Sequence, residues 1–333
     1  MVIRLSAMGD VAMTIPVLRA FQQQYPDVKL TILTRKFFRP FFRDLNQVSF
    51  IDFDPIGAHK SILGLYKLSR TIAKTKPIAI ADLHNVLRTK VLKLFLSGFI
   101  FKQIDKGRNE KQALVSGKSF KPLKSTVNRY AAVFEQLGFT IDIKSPTFPQ
   151  KPKLNSKVYN LIGQDHKKWI GIAPFAAYKG KKYPLDLMEK VIQKLEDNYK
   201  ILLFGGGDME RQLLKTLEEK YDSCISLLGV LTLDEELDVI GNLDVMLAMD
   251  SGNAHMAAMM GVAVVTLWGV THPYAGFSPF NQPEHYNILA DRKKFPLIPT
   301  SVYGNKAPET YLDAMRSISP NTVIEKLEEI LRS

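Results

Sequence analysis

The chain has 333 residues, a single cysteine and a formal net charge of +12 at neutral pH. Its length exceeds what one hydrophobic core commonly serves and favours two domains, and a lone Cys224 excludes an internal disulfide and fits a reducing compartment. With 46% hydrophobic and 23% charged residues it has an ordinary globular composition, and neither a low-complexity tract nor a solenoid repeat is visible.

Met1-Val2-Ile3-Arg4 leads straight into what reads as a core strand, with no basic leader or cleavage site, so no secretory signal is expected. The first strand-to-helix junction follows at Leu5-Ser6-Ala7-Met8-Gly9-Asp10-Val11. Gly9 permits a tight turn there. Asp10 then stands at a strand-end mouth, where a carboxylate serves either as a general base or as a helix cap. The spacing G-x-G-x-x-G is absent, which argues against a dinucleotide fingerprint.

Val11 to Gln24 and Leu63 to Lys74 carry helical patterns, and Leu30 to Thr34 and Ile78 to Leu83 read as strands. Such alternation implies parallel βαβ units. Between these elements, Phe37, Phe38, Phe41 and Phe42 are interleaved with Arg35, Lys36, Arg39 and Arg43. That pattern suits a lipid-headgroup interface. Packing of the phenylalanines into the core is the favoured reading. The longest apolar run, Val91 to Phe101, contains Lys93 and falls short of the ~20 residues that span a bilayer. Phe101 to Lys124, rich in Lys, Gly and Ser, reads as a mobile basic loop.

A helix from Thr126 to Leu137 precedes the Pro- and Lys-rich stretch Ser145 to Lys153, which reads as an interdomain linker. The expected organisation is a domain over 1–150, a second over 151–318 and a terminal helix over 319–333. In the second half, strands are expected at Trp169–Pro174, Lys200–Phe204, Val245–Met249 and Val262–Trp268. Helices are expected at Pro184–Glu196, Met209–Tyr221, Thr232–Asn242 and Ala254–Met260, and after Ser319-Pro320.

Three further junctions carry candidate chemistry, because open α/β sheets bind ligands at the carboxyl ends of strands. After one strand, Ala173 to Pro184 holds Lys179, Lys181 and Lys182, which read as a solvated loop or as partners of a departing anion. Gly205, Gly206 and Gly207 would let backbone approach a ligand, with Asp208 and Glu210 as acceptors for ribose hydroxyls. Asp250, Ser251, Gly252 and Asn253 open a helix whose amides would point at a diphosphate. His255 in the first turn is either a phosphate contact or a buried structural histidine.

Charge is uneven along the chain. Residues 1–150 hold 24 Lys and Arg against 10 Asp and Glu, whereas residues 151–333 hold 21 against 23. A basic first half suits an anionic partner. No helix-turn-helix or RNP-like motif supports nucleic acid, and no cysteine pair or i, i+4 histidine pair suggests a metal.

Together these motifs resemble glycosyltransferase family 9, the lipopolysaccharide heptosyltransferases. The resemblance rests on Ile3 to Val11, Ala81-Asp82-Leu83-His84-Asn85-Val86-Leu87-Arg88, Lys181-Lys182-Tyr183-Pro184, Asp250 to Ala258 and Ala314 to Pro320. Tyr183 stands where the family usually carries Trp. The resemblance implies a GT-B fold, two Rossmann-like α/β domains facing across a cleft. It implies inverting sugar transfer with no metal or other cofactor, from a nucleotide-sugar donor, ADP-linked heptose, to an anionic lipopolysaccharide-type glycolipid, in the cytoplasm or at the inner face of the inner membrane. Asp10 would be the base and Lys181 the partner of the leaving diphosphate. Ser251, Gly252, His255, Asp250, Asn253, Gly206 and Glu210 would bind donor, and Arg88, His84 and Asn85 the acceptor. A same-fold transferase using another donor, and a catalytically silent anion-binding relative, remain alternatives.

Overall fold

The computed structural model describes residues 1–163 and 165–332. The chain forms two compact units, Met1–Gly107 with Lys124–Thr147, and Arg108–Leu123 with Phe148–Ser333.

In the first unit, β1 (Val2–Ile3) is followed by α1 (Met8–Ala12) and α2 (Ile15–Gln24). The sequence pattern predicts one helix here, but it breaks at Met13 and Thr14. The Thr14 hydroxyl donates to the Val11 carbonyl at 2.7 Å, and Pro16 occupies the first turn of α2, where a missing N–H breaks no helical bond. Then come β2 (Leu30–Thr34), β3 (Val48–Asp52), α3 (Ile62–Lys74), β4 (Ala79–Asp82), α4 (Leu87–Phe95) and β5 (Ile100–Gln103). All pairings are parallel, in the order β3-β2-β1-β4-β5. Chain order reverses between β1 and β4, so their carboxyl ends flank the place where doubly wound sheets hold ligands. The core joins Ile3, Leu5, Leu33 and Ile80 to Leu65, Leu68 and Ile72 of α3 and Leu92 of α4. Spacing at i, i+3 and i+7 puts those α3 residues on one stripe.

The expected loop over Phe101 to Lys124 is instead partly ordered. β5 lies along β4, and α5 (Arg108–Val115) belongs to the second unit. Its signals are masked because β5 is an edge strand with Ile100 exposed, and because a lysine occupies a buried position on α5. The Lys111 ammonium lies 4.1 Å from the centroid of the Phe277 ring, a cation–π contact that offsets its burial. The Arg292 guanidinium stacks 3.6 Å from the centroid of Phe120, and Leu123 N–H donates to the Tyr274 carbonyl at 3.0 Å. The chain then returns to the first unit with α6 (Thr126–Glu135), capped by Ser125.

The aromatic–basic cluster at Lys36–Phe42 is a 3-10 segment that buries Phe38, Phe41 and Phe42 and leaves Phe37 exposed. Core packing accounts for three of the four rings.

The second unit continues with α7 (Ser156–Ile162), β6 (Trp169–Ala173), α8 (Leu185–Leu195), β7 (Lys200–Leu203), α9 (Asp208–Lys220), β8 (Cys224–Ser226), α10 (Leu233–Ile240), β9 (Val245–Met249), α11 (Gly252–Met259), β10 (Ala263–Trp268), β11 (Asn287–Leu289) and α12 (Pro320–Arg332). Its sheet is parallel in the order β11-β10-β9-β6-β7-β8. Here chain order reverses between β9 and β6. Strands β6, β7, β9 and β10 are near-continuous buried apolar runs, as helices on both faces require. Cys224 is buried. The first turn of α10 is closed by a reciprocal cap, with Glu235 N–H on the Thr232 hydroxyl at 3.3 Å and Thr232 N–H on the Glu235 carboxylate at 2.8 Å. Among the described residues no helix is long and apolar enough to cross a membrane.

Candidate active site

In the first unit, the residues singled out in the sequence gather at the carboxyl ends of β1 and β4. Asp10 is the third residue of α1 and stands half-exposed. Its Oδ2 lies 2.6 Å from Arg4 Nη2 and accepts from the Ala7 N–H at 3.3 Å. The capping role is therefore real, and it uses one carboxylate oxygen. Arg4 is buried and extends between the two strand ends, its Nη1 donating to the Leu83 carbonyl at 2.7 Å. The Tyr130 hydroxyl donates to the Asp10 carbonyl at 3.3 Å and fixes α1 from the other side.

Across from Asp10, the turn after β4 is built on Asp82, which is fully buried. Its Oδ1 accepts the amides of His84 and Asn85 at 2.9 and 3.0 Å, and its Oδ2 accepts Gln103 Nε2 at 2.8 Å. This side-chain turn holds Asn85 at φ +47°, a left-handed conformation that Asn tolerates. Asn85 Nδ2 donates to the Ile104 carbonyl at 2.9 Å. Arg4 Nε, His84 Nδ1 and Asn85 Oδ1 are buried without a hydrogen-bond partner among the described residues. Three such atoms at one strand-end mouth are costly unless something polar completes them. Burial, with Arg4 and Lys106 nearby, lowers the His84 imidazole to about 3, so it is neutral at working pH. Arg88, on the first turn of α4, donates to the Pro55 carbonyl at 3.4 Å and lies over the Phe53 ring.

In the second unit, the loop after β6 and the helix after β9 meet. Of the three lysines at that loop, Lys179 and Lys182 are exposed and Lys181 is buried. Lys181 Nζ lies 2.9 Å from Asp250 Oδ2, which also accepts the Thr271 hydroxyl at 2.9 Å. Gly304 packs onto the Lys181 stem so closely, and at φ +79°, that a Cβ there would fall 2.5 Å from Lys181 Cδ. Tyr183 is a structural anchor, fully buried with its hydroxyl on the Ile318 carbonyl at 2.9 Å. Burial raises its phenol well above the usual range.

Ser251 is the N-cap of α11, yet its hydroxyl makes no capping bond and is buried without a partner among the described residues. Gly252 and Asn253 follow at the helix start, where free amides and the helix dipole favour an anion. His255 is buried in that first turn. After β7, Glu210 Oε2 accepts the Gly206 N–H at 2.7 Å, so this carboxylate closes the glycine turn. Among the described residues no group of three or more His, Cys, Asp and Glu side chains is placed to hold a metal ion.

Residues 67–296 match the family model described as glycosyltransferase family 9 (heptosyltransferase). The chain belongs to glycosyltransferase family 9. It is similar to lipooligosaccharide heptosyltransferase 2 of Haemophilus influenzae, at 25% identity over 350 residues covering 98% of this chain and 97% of that one. Lipopolysaccharide heptosyltransferase 3 of Escherichia coli is 23% identical, with 79% and 81% of the two chains covered. Among solved structures, a family 9 glycosyl transferase of Veillonella parvula superposes with a TM-score of 0.76 at 22% identity, covering 100% of this chain and 97% of that one. For the E. coli ADP-heptose lipopolysaccharide heptosyltransferase II the TM-score is 0.70 at 21% identity, with 99% and 98% covered.

The fold is accordingly GT-B, built from two Rossmann-like domains, and the family 9 chain is a glycosyltransferase. Its sequence-derived candidates sort by contact. Asp10, His84 and Asn85 share one strand-end mouth through Arg4 and Leu83. Lys181 and Asp250 are joined directly, beside Ser251 and Gly252. Glu210 and Gly206 bond to each other. Sequence reasoning missed Arg4, Thr271 and Gly304 as members of these clusters. Arg4 had one available signal, an arginine set between the apolar Val2-Ile3 strand and Leu5, whereas Thr271 and Gly304 enter only through tertiary packing.

Proposed function

We propose that this glycosyltransferase moves a heptose from ADP-heptose to a sugar hydroxyl of a lipopolysaccharide core acceptor in the cytoplasm, with inversion and without a metal. The names of the curated relatives support heptose and a lipopolysaccharide-type acceptor, and an E. coli heptosyltransferase solved with ADP supports the nucleotide.

In this reading the acceptor hydroxyl gives its proton to Asp10. Arg4 and the Ala7 amide both contact Oδ2, so Oδ1 is the oxygen turned to the substrate. The hydroxyl oxygen forms its bond to the anomeric carbon on the face opposite the diphosphate. The bond from that carbon to the diphosphate oxygen breaks, and its electron pair leaves with ADP. Lys181, the first-turn amides at Gly252 and Asn253, the Ser251 hydroxyl and His255 meet the charge that develops there. Asp250 holds Lys181 in place, and Glu210 with Gly206 shapes the ribose side. Arg88, His84 and Asn85 bind the acceptor, whose anionic groups suit the surplus of cations in residues 1–150.

The observation that carries this reading is the buried Ser251 hydroxyl at the start of α11, without a partner among the described residues and next to the Lys181–Asp250 pair. The test is transfer to a heptose-free core oligosaccharide from ADP-heptose, UDP-glucose and GDP-mannose, with and without EDTA. Turnover with ADP-heptose at least ~100-fold above the others, insensitive to EDTA and inverted at the anomeric carbon by NMR, is expected. Preference for another donor, retained configuration or loss of activity in EDTA overturns the corresponding part.

A further inference from the structure

We propose that the outer faces of α3 and α4 form a docking surface for an anionic lipid bilayer. From Pro55 to Ile104 the chain holds nine Lys and Arg, and its one acid is Asp82. Asp82 is fully buried in the turn it organises, so the surface of this stretch carries cations without counter-charges from its own residues. An ordinary solvated helix face mixes both signs, and neither α3 nor α4 contains a single Asp or Glu.

The same faces display large apolar side chains. Ile62, Leu63 and Tyr66 are exposed on α3, and Leu87 and Leu94 on α4, with Leu63 at 74% and Leu94 at 72%. They are surplus to the core, because α3 already buries Leu65, Leu68 and Ile72 and α4 buries Leu92. Tyr66 and Phe95 meet edge to face at 5.5 Å between ring centroids, so the two helices present one continuous surface. Lys67 and Arg70 on α3 and Lys90 and Lys93 on α4 lie exposed among these residues. Aliphatic side chains rimmed by lysine and arginine match a headgroup layer with acyl chains beneath it.

Two other occupants fit less well. A second copy meeting this patch across a two-fold axis would bring its cations against themselves. Nucleic acid would meet the cations but find mainly aliphatic groups in place of stacking rings. The Phe37 to Phe42 cluster does not compete for the role, since three of its rings are buried. Leu87 and Arg88 open α4 beside His84 and Asn85, so docking through this face brings the strand-end mouth of the first unit to the headgroup layer.

The test is flotation of the full chain with phosphatidylcholine vesicles and with vesicles containing a third phosphatidylglycerol. The variants are Leu63→Ser/Leu94→Ser and Lys67→Glu/Lys90→Glu. Wild type is expected to float with anionic vesicles only. The charge variant should bind at least ~20-fold more weakly and the apolar variant about 10-fold more weakly, with unchanged melting temperatures. Absence of wild-type flotation overturns the proposal. So does undiminished binding by the apolar variant, which would mean charge adsorption alone, or a role of Leu63 and Leu94 in self-association in sedimentation instead. Vesicle binding needs neither donor nor acceptor, so its failure is distinguishable from failure of the transfer reading, and both variants should keep wild-type turnover on a lipid-free acceptor.

Discussion

The Lys181 ammonium and the Asp250 carboxylate meet at 2.9 Å with each side chain only 11% exposed. A charge pair this enclosed is a weak source of net stability, because desolvation opposes the Coulomb attraction, but removing one partner strands the other. Its position at the β6 and β9 strand ends, beside α11, is where the reading proposed above docks the departing diphosphate.

Lys181→Met alone is expected to lower stability by about 3 kcal/mol, since Asp250 is left with the Thr271 hydroxyl. The double variant Lys181→Met/Asp250→Asn should regain most of that loss in thermal melts. Turnover should stay at least ~100-fold down in both. Recovery of turnover together with stability would remove Lys181 from the chemistry.

Ser251→Ala separates binding from folding. Its hydroxyl is buried without a partner among the described residues, and deleting such a group removes a desolvation penalty of about 1 kcal/mol. The variant should melt at or slightly above the wild-type temperature while its KM for donor rises about 10-fold. A destabilised variant with unchanged KM would make Ser251 an ordinary cap.

Asp10→Asn distinguishes the two roles of that residue. The carboxamide oxygen can still accept from the Ala7 N–H, so the helix start survives, but a carboxamide is no base at neutral pH. A loss of at least ~100-fold in kcat is expected, with a modest fall in melting temperature because the buried Arg4 loses its counter-charge. Loss of stability with near-normal kcat would leave only the cap.

Glu236, in the first turn of α10, gives a pH signature. Burial raises its carboxyl to about 7 from the ordinary 4.5 of a glutamate, so the folded state holds a proton that the unfolded chain releases. Between those values the native state binds more protons, and stability from this group falls as pH rises from about 4.5 to about 7. Glu236→Gln should therefore melt like wild type near pH 4 and above it at pH 8. An equal effect at both pH values would show that ionisation is not involved.

How much was legible in the sequence follows from where each strand lies. The inner strands β1, β2, β4, β6, β7, β9 and β10 are apolar runs and were readable as such. The four unread strands, β3, β5, β8 and β11, are the four edges of the two sheets. An edge strand packs on one neighbour, is short, and tolerates exposed residues such as Ser49 and Ile100, so its pattern carries little signal. The site follows the same logic. Positions such as Asp10, Lys181 and Ser251 are legible because chain order alone puts them at strand-to-helix junctions, whereas His84 enters only through the resemblance to the family. The partners of those positions come from elsewhere in the chain, as Thr271 does for Asp250 and Gly304 for Lys181, and no local pattern announces them.

The assignment of Arg108–Leu123 to the second unit means that the polypeptide passes from one unit to the other at three places, after Gly107, after Leu123 and after Thr147. A single protease cut in the Pro-rich stretch near Phe148 would leave the halves tied through α5. A fragment beginning at Phe148 would lack the helix whose Lys111 covers Phe277 and the aromatic ring that Arg292 stacks upon. Dissecting this enzyme into its two units therefore calls for a circularly rearranged gene, because no straight cut yields two intact pieces.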